Sequence, residues 1–411
     1  MNFQAYAHSF QVFPKLGLDR IRALLARLGH PEEQCRCIHI AGTNGKGSVA
    51  EALSAVFAAA GKRTGLYTSP NLVRVNERIC VDGRPISDGA LSALIGRVET
   101  AAREVERECG EMPTPFEIWT ASAFLHFAAE HCDIVVLEVG LGGEFDATNV
   151  ISRCEAAVLA HIDYDHMAQL GKTLPEIARA KCGIIKEGCP VVTGPQTPEV
   201  MEVIRRTAAK KHAPLSVCEV PSPGRFEGMY EIVDLPALPA LKLPLAGLCQ
   251  IANMALAVQT AQLLGVPADV IRRGLAKTRH PGRMEVLREK PLLLYDGGHN
   301  PDGIRSLVAS LARYLPQMRF TVIFAAMKDK DTAPSLALLK QVADTFIFTA
   351  VSQNPRSMTP EEATERAEKA GIDGRTAPTL AQAIALAGDT PTLICGSLYL
   401  YADLPKDLRR L

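Results

Sequence analysis

The stretch HIAGTNGKGSVAEAL, from His39 to Leu53, decides how the rest of the chain is read. It opens apolar, passes through Gly42, Gly45, Lys46 and Gly47, and closes as a helix-forming segment. The general phosphate-binding loop has the form G-x-x-x-x-G-K-[ST]. Here Ile40 stands where the first glycine belongs, and Gly47 separates Lys46 from Ser48. The chemistry survives the altered spelling. Glycines let backbone N–H groups turn inward, and the helix start adds positive dipole. Lys46 reaches the outer phosphates of a nucleotide, and the Ser48 hydroxyl suits a divalent cation. The plainer reading is a Gly-rich turn that caps a helix. A lysine flanked by two glycines is a wasteful way to build one.

Outward from this loop, short apolar runs alternate with amphipathic segments. Strands are expected at Cys37–Ala41, Thr64–Thr68, Asp133–Val139, Ala156–Ile162 and Pro190–Thr193. Helices are expected at Lys46–Ala60, Asp88–Cys109, Pro115–Glu130, Pro175–Cys182 and Pro198–His212. Such alternation predicts an α/β fold with a doubly wound, mainly parallel sheet. After the loop, Val49, Leu53, Val56, Phe57 and Ala60 share one helical face, and Gly61 ends the helix. Gly224–Leu245 reads as short strands broken by prolines, followed by helices over Leu248–Leu264 and Pro267–Thr278. Beyond RHPGRMEVLREKP the alternation restarts, with strands at Leu292–Asp296, Phe320–Phe324, Thr345–Val351 and Thr392–Cys395. Helices at Asp302–Tyr314, Ala333–Val342, Pro360–Ala370 and Leu380–Ala387 lie between them. This is a second, smaller Rossmann-like α/β unit. The boundary falls in the Pro/Gly and charged stretch Pro281–Glu289, giving domains 1–282 and 283–411.

Composition narrows the function. Lys plus Arg equals Asp plus Glu at 45 each, which speaks against a nucleic-acid or membrane-surface protein. No charged and then apolar leader opens the chain, and the apolar stretch Leu235–Leu248 is interrupted by Pro236, Pro239 and Pro244. The 11 cysteines include no C-x-x-C pair and are expected to be reduced core thiols of a cytoplasmic protein.

Three further motifs carry chemistry. In DIVVLEVGLGGEFDATNV, Glu138 is bracketed by apolar residues at the carboxyl end of a strand. A carboxylate placed there is paired in the core or holds a cation. HIDYDHMAQLGKTLPEIARAKCGIIKEG supplies His161, Asp163, Asp165, His166 and Lys181 after another strand end. Beside Cys182, Ile184 and Ile185, Lys181 is expected to be part-buried and therefore neutral and nucleophilic. YDGGHNPDG crowds Asp296, His299 and Asn300 at the end of the first strand of the second domain. An N-cap turn at Asn300-Pro301 is the plain alternative.

Taken in order, GTNGKGS, YTSPNLVRVNERI, EVGLGGEFDATNV, DYDHMAQLGKTLPEIARAKCGIIK, HPGRMEVL and DGGHNP resemble the folylpolyglutamate synthase / dihydrofolate synthase family of the Mur ligase superfamily. The resemblance spans nearly the whole chain, and the loop matches that superfamily's own form. It implies ATP-dependent addition of L-glutamate to reduced folates or dihydropteroate through an acyl phosphate. It implies that Thr43, Asn44, Gly45, Lys46, Gly47, Ser48, Asn253, Arg283 and Asp296 contact ATP. Ser69, Glu138 and His166 match Mg²⁺ ligands, and Lys181 matches a lysine that becomes carbamylated and serves a second Mg²⁺. Lys46, Lys181 and His166 are the implied catalytic residues. Phe13, Pro14, Lys15, Leu16, Thr114, Pro115, Phe116, Glu117, Phe145, Asp146 and Ala147 match segments lining the substrate's pterin site, with His299 also on the substrate side. The resemblance further implies a monomer.

The chain departs from the family pattern at Glu144, where Arg is usual, at Asn71, where His is common, and at Cys249, where His often precedes Gln250. A Mur-type ligase for a cell-wall precursor is expected to carry a nucleotide-sugar domain before the loop, whereas only 41 residues precede Gly42. A P-loop kinase has no use for Asp296, Arg283 and a carbamate lysine, and a non-catalytic module has no reason to carry the full set.

Overall fold

Strand β1, Cys37–Ala41, is buried along its whole length. That is the signature of a central strand covered on both faces. The computed structural model describes residues 17–352 and 354–409, which divide into two units. The first runs to Ser222 and adds Asp234–Leu241 and Ala252–Thr278; the second holds Pro223–Val233, Lys242–Ile251 and the chain from Arg279 on.

In the first unit β1 is joined by β2 (Thr64–Tyr67), β3 (Ile79–Val81), β4 (Arg84–Pro85), β5 (Ile134–Glu138), β6 (Ala156–Leu159), β7 (Val191–Thr193) and β8 (Leu215–Val217). Their order is β4-β3-β2-β5-β1-β6-β7-β8, with every pairing parallel except β2–β3 and β3–β4, between which β3 runs reversed. Ile40 sits opposite Glu138 and Ala41 opposite Leu159, so β1, β5 and β6 end level and release their loops along one edge. Strand order reverses beside β1, and open α/β sheets bind ligands at such a point.

Helices α1 (Asp19–Arg27), α2 (Lys46–Ala59), α3 (Asp88–Cys109), α4 (Pro115–Ala129), α5 (Leu174–Cys182) and α6 (Pro198–Lys210) flank the sheet. Leu24, Val98, Trp119, Phe124 and Phe127 from α1, α3 and α4 form one core. Ile177, Ile184 and Ile204 from α5, α6 and their surroundings form another. α4 is apolar nearly all round and buried accordingly. Its start is set locally: Thr114 and Glu117 form a capping box, with Pro115 in the first turn. Helices α7 (Cys249–Leu263) and α8 (Ala268–Leu275) follow. α8 lies tight on α2, since a Cβ on Gly274 would stand 2.5 Å from the Val56 Cα.

Strands β9 (Arg225–Glu227), β10 (Tyr230–Leu235) and β11 (Leu238–Lys242) make a small antiparallel sheet. Its buried Glu231 accepts from Arg313 Nε at 2.5 Å and from the Tyr314 hydroxyl at 3.0 Å. The main sheet of the second unit has β12 (Glu285–Glu289), β13 (Leu292–Tyr295), β14 (Phe320–Phe324), β15 (Ala343–Phe348), β16 (Arg375–Thr376) and β17 (Thr392–Cys395). The order is β12-β13-β17-β14-β15-β16, parallel but for β12. Helices α9 (Pro301–Tyr314), α10 (Ala333–Leu339), α11 (Pro360–Lys369) and α12 (Leu380–Ala387) flank it, around a core that includes Phe320, Phe346 and Phe348.

Several features depart from the sequence reading. Glu285–Glu289, read as part of a linker, is the antiparallel edge strand β12. Its charged residues Glu285, Arg288 and Glu289 flank the adjacent Val286 and Leu287, where the pairing with β13 shifts register, and an edge strand tolerates such charges. Helix α1 and the β3–β4 hairpin were not expected from the alternation. Cys154 and Cys189 are disulfide-bonded, with Cα atoms 6.0 Å apart, so not every cysteine is a reduced thiol. Among the described residues no helix is long and apolar enough to cross a membrane.

Candidate active site

The loop after β1 is gripped by the segment after β6. The Thr43 amide donates to the His161 carbonyl at 2.7 Å, and the Asn44 amide donates to the same oxygen at 3.3 Å. The Thr43 hydroxyl donates to the Asp163 carbonyl at 2.8 Å and accepts from the Asp163 amide at 3.0 Å. Gln196 in turn fixes that segment. Its Nε2 donates to the Ala160 carbonyl and its Oε1 accepts from the Ile162 amide, each at 3.1 Å. The phosphate loop is thus built into the sheet edge rather than hung from it.

Gly45 opens α2 at φ 88°, the left-handed region that favours glycine. A Cβ there would lie 2.2 Å from the Asn253 Oδ1, so the nucleotide-loop candidates Gly45 and Asn253 do meet. Gly45→Ala is expected to raise the KM for ATP about tenfold or more, the equivalent of roughly 1.4 kcal/mol from strain and a displaced Asn253. Steady-state titration of ATP checks this; an unchanged KM would separate Asn253 from nucleotide binding.

Two lysines converge on one carbonyl. Lys46 Nζ donates to Gly42 O at 3.1 Å and to Thr43 O at 3.2 Å, and Lys181 Nζ donates to Gly42 O at 2.8 Å. Lys181 is only 4% exposed. Burial, and then the nearby Lys46 charge, lower its pKa to about 7. The expected desolvated lysine is therefore present, and its surroundings favour the neutral amine far more than water does.

Glu138, at the end of β5, is 5% exposed and accepts from the Ser69 amide at 3.0 Å. This brings the segments after β2 and β5 together. Glu51 on α2, not singled out from sequence, faces the same carboxylate. Burial first, then Glu138, push its pKa up to about 8. A cation near this place would offset the pressure that burial and Glu138 put on the charge of Glu51. The Glu138 carboxylate, with the Ser69 segment against it, offers oxygen donors of the kind a hard divalent ion takes. His166 opens the helical turn Met167–Leu170 at φ 50°, its Nε2 3.9 Å from Asp165 Oδ2. Ser48 is buried in the first turn of α2, beside Gly47.

The segments assigned to the pterin are partly visible. Glu117 Oε2 accepts from the Thr114 amide at 2.6 Å and pairs with Arg20 Nε at 3.1 Å, while its buried Oε1 has no hydrogen-bond partner. The Phe116 ring lies against Gly140, where a Cβ would meet it at 2.5 Å. Phe145 is 51% exposed beside the buried Asp146 and Ala147. Phe13, Pro14, Lys15 and Leu16 lie outside the described residues.

In the second unit Asp296 accepts from the Met284 amide at 2.9 Å and the Gly298 amide at 2.8 Å. Burial raises its pKa, and Arg283 opposes that rise. His299 Nδ1 is 3.0 Å from the Gly297 carbonyl, which fixes its ring, and Asn300 caps α9 through the Gly303 amide at 2.8 Å. The N-cap expected at Asn300 is present, in the same turn that carries Asp296 and His299.

A glycine-lysine loop set into a doubly wound sheet, followed by a second α/β unit with its own polar turn, defines a Mur ligase. Residues 40–213 match the Mur ligase middle domain, and residues 282–397 match the Mur ligase glutamate ligase domain. The folylpolyglutamate synthase of Lacticaseibacillus casei is 38% identical across 98% of this chain and 97% of its own length. The dihydrofolate synthase/folylpolyglutamate synthase of Bacillus subtilis is 35% identical across 96% of this chain and 95% of its own length. The crystal structure of Mycobacterium tuberculosis folylpolyglutamate synthase with ADP and AMPPCP superposes with a TM-score of 0.87 at 33% identity, covering 94% of each chain. The chain belongs to the folylpolyglutamate synthase / dihydrofolate synthase family.

Proposed function

We propose that the protein is an ADP-forming ligase that adds L-glutamate to tetrahydrofolate, its polyglutamates and dihydropteroate, acting as a cytoplasmic monomer. The observation that carries this reading is the convergence of Lys46 and the buried Lys181 on the Gly42 carbonyl, at the sheet edge where Glu138 emerges. An anionic acceptor carboxylate must approach an anionic γ-phosphate, so concentrated positive charge is the first requirement. The folate carboxylate attacks the γ-phosphorus and ADP leaves. The amine of glutamate then attacks the acyl carbonyl, and phosphate leaves.

In this reading the loop amides and Lys46 hold the phosphates, and Asn253, Arg283 and Asp296 hold the rest of ATP. Thr114–Glu117 and Phe145–Ala147 line the pterin subsite, with His299 on the substrate side. Ser69, Glu138 and His166 hold Mg²⁺, and a carbamylated Lys181 serves a second ion; bound Mg²⁺ supplies charge neutralisation at the phosphates. The dual use of dihydropteroate and folate draws on the bifunctional B. subtilis relative. ADP release with each pterin, with and without L-glutamate, tests the whole, with products weighed by mass spectrometry. Repeated turnover that releases a stable phosphorylated acceptor as the end product, at a rate indifferent to glutamate, would mark a kinase. Glutamate-dependent turnover of a different carboxylate alone would mark another Mur-type ligase.

The metal assignment has its own test. Glu138→Gln is expected to raise the Mg²⁺ concentration for half-maximal rate about tenfold or more, since a charged oxygen ligand is replaced by a neutral one. A Mg²⁺ titration that overlays the parent's would remove Glu138 from the ligand set.

A further inference from the structure

His39 is a polar residue in the middle of β1 and is fully buried. Its Nε2 lies 2.8 Å from the Thr148 hydroxyl oxygen. That hydroxyl has one proton and gives it to Asp146 Oδ1 at 2.5 Å. Towards His39 it is therefore an acceptor, which requires the ring proton to sit on Nε2. The consequence is visible on the other side of the ring, where Nδ1 is buried without a hydrogen-bond partner. Burial, and then Lys186, hold the imidazole neutral by lowering its pKa to about 3. Asp146 also accepts from the Leu141 amide at 2.9 Å and the Thr148 amide at 3.0 Å. One hydrogen-bonded chain thus fixes the turn from Leu141 to Thr148, and its far end is anchored three residues before Gly42, in the strand that feeds the phosphate loop.

An aliphatic residue at this place in an apolar strand would leave no nitrogen unsatisfied. The imidazole therefore serves the bond to Thr148. We propose that His39 is a positioning residue for the pterin subsite, holding Phe145–Ala147 in register with the nucleotide strand through Thr148 and Asp146. This rests on the assignment of Phe145–Ala147 to the pterin made above.

Three substitutions test it in the full-length protein. The side-chain amide nitrogen of glutamine reaches about as far as a histidine Nε2, whereas that of asparagine stops near Nδ1. His39→Leu is expected to raise the KM for tetrahydrofolate about tenfold while leaving the KM for ATP within about twofold. His39→Gln is expected to restore most of the loss, and His39→Asn is not. A purely structural role predicts something else: lower melting temperatures and a smaller active fraction, with the folate KM unmoved. An unmoved folate KM in folded His39→Leu, an equal rise in both KM values, or no recovery in His39→Gln would each overturn the proposal. Phe145→Ala tests the underlying assignment separately. Phe145 is exposed, so its loss does not disturb the core. A raised folate KM there supports the assignment, and an unchanged one removes it independently of the His39 series.

Discussion

Lys46→Ala is expected to lower kcat for ADP release by about 10³-fold or more while moving the melting temperature by less than about 2 °C. The size follows from the charge that Lys46 is asked to meet. Removing a single neutral donor from a developing oxyanion costs about 10²–10³ in rate, and Lys46 brings a full charge to a transferring phosphoryl group. The small effect on stability follows from its bonds. Lys46 Nζ donates to the carbonyls of Gly42 and Thr43, and the Gly42 oxygen keeps Lys181 as a donor at 2.8 Å. Only the Thr43 carbonyl loses its ammonium partner, in a part-buried site open to replacement by water. Loss of the Lys46 charge also removes a repulsion on Lys181, which offsets part of the damage. Steady-state kinetics and a thermal melt on the same preparation check both halves. Normal turnover would detach the loop from catalysis, and a large drop in melting temperature would mark Lys46 as a structural residue.

The loop and its strand were legible in the sequence because their signals are local. A five-residue run apolar but for His39, a glycine-lysine turn and a helix-forming segment fall within the seventeen residues from Cys37 to Leu53, and β1 and α2 follow them closely. Glu138 was legible for a similar reason, as one charge inside an apolar strand. What could not be read was the pairing of distant residues. Nothing near Gly45 says that Asn253 fills the space where its side chain would stand. Nothing near Thr43 says that the backbone of Asp163 closes on both sides of its hydroxyl. Glu51 carries no local signal, since its meaning depends on Glu138 at the end of β5. His39 stood in plain view as a histidine in an apolar strand, a signal of the same kind as Glu138. Strand β12 was hidden because its charges resemble a linker's, and only pairing with β13 distinguishes the two.

Lys181 is where sequence and geometry give the most exposed prediction. Nine residues, ARAKCGIIK, place it at the end of α5, and the fold buries it between the sheet edge and the phosphate loop. Burial and the Lys46 charge set its pKa at about 7, against an ordinary value of 10.5. The sign matters. Below about 7 the folded protein holds an ammonium there, and above it a neutral amine. Only the amine can attack CO₂: a C–N bond forms, a proton is released, and a carbamate with two oxygens replaces a cation. The fraction of lysine able to react therefore falls as pH drops through about 7, by roughly tenfold per unit at the lower end. Between about 7 and 10.5 the unfolded chain binds a proton that the folded chain does not, so this group makes stability rise with pH across that window. Lys181→Ala is expected to lower kcat by about 10³-fold. Added acetate or formate should restore part of the rate by placing a carboxylate where the carbamate stood, and neutral amides of the same size should not. Lys181→Met, which keeps the volume without the amine, shows whether the helix end still folds. In the parent enzyme, bicarbonate-replete buffer should support faster turnover than CO₂-stripped buffer, with ¹³C-bicarbonate labelling the lysine. Equal rates in the two buffers from pH 6 to 8, with no label on Lys181, would refute the carbamate and leave Lys181 acting as the amine that donates to Gly42.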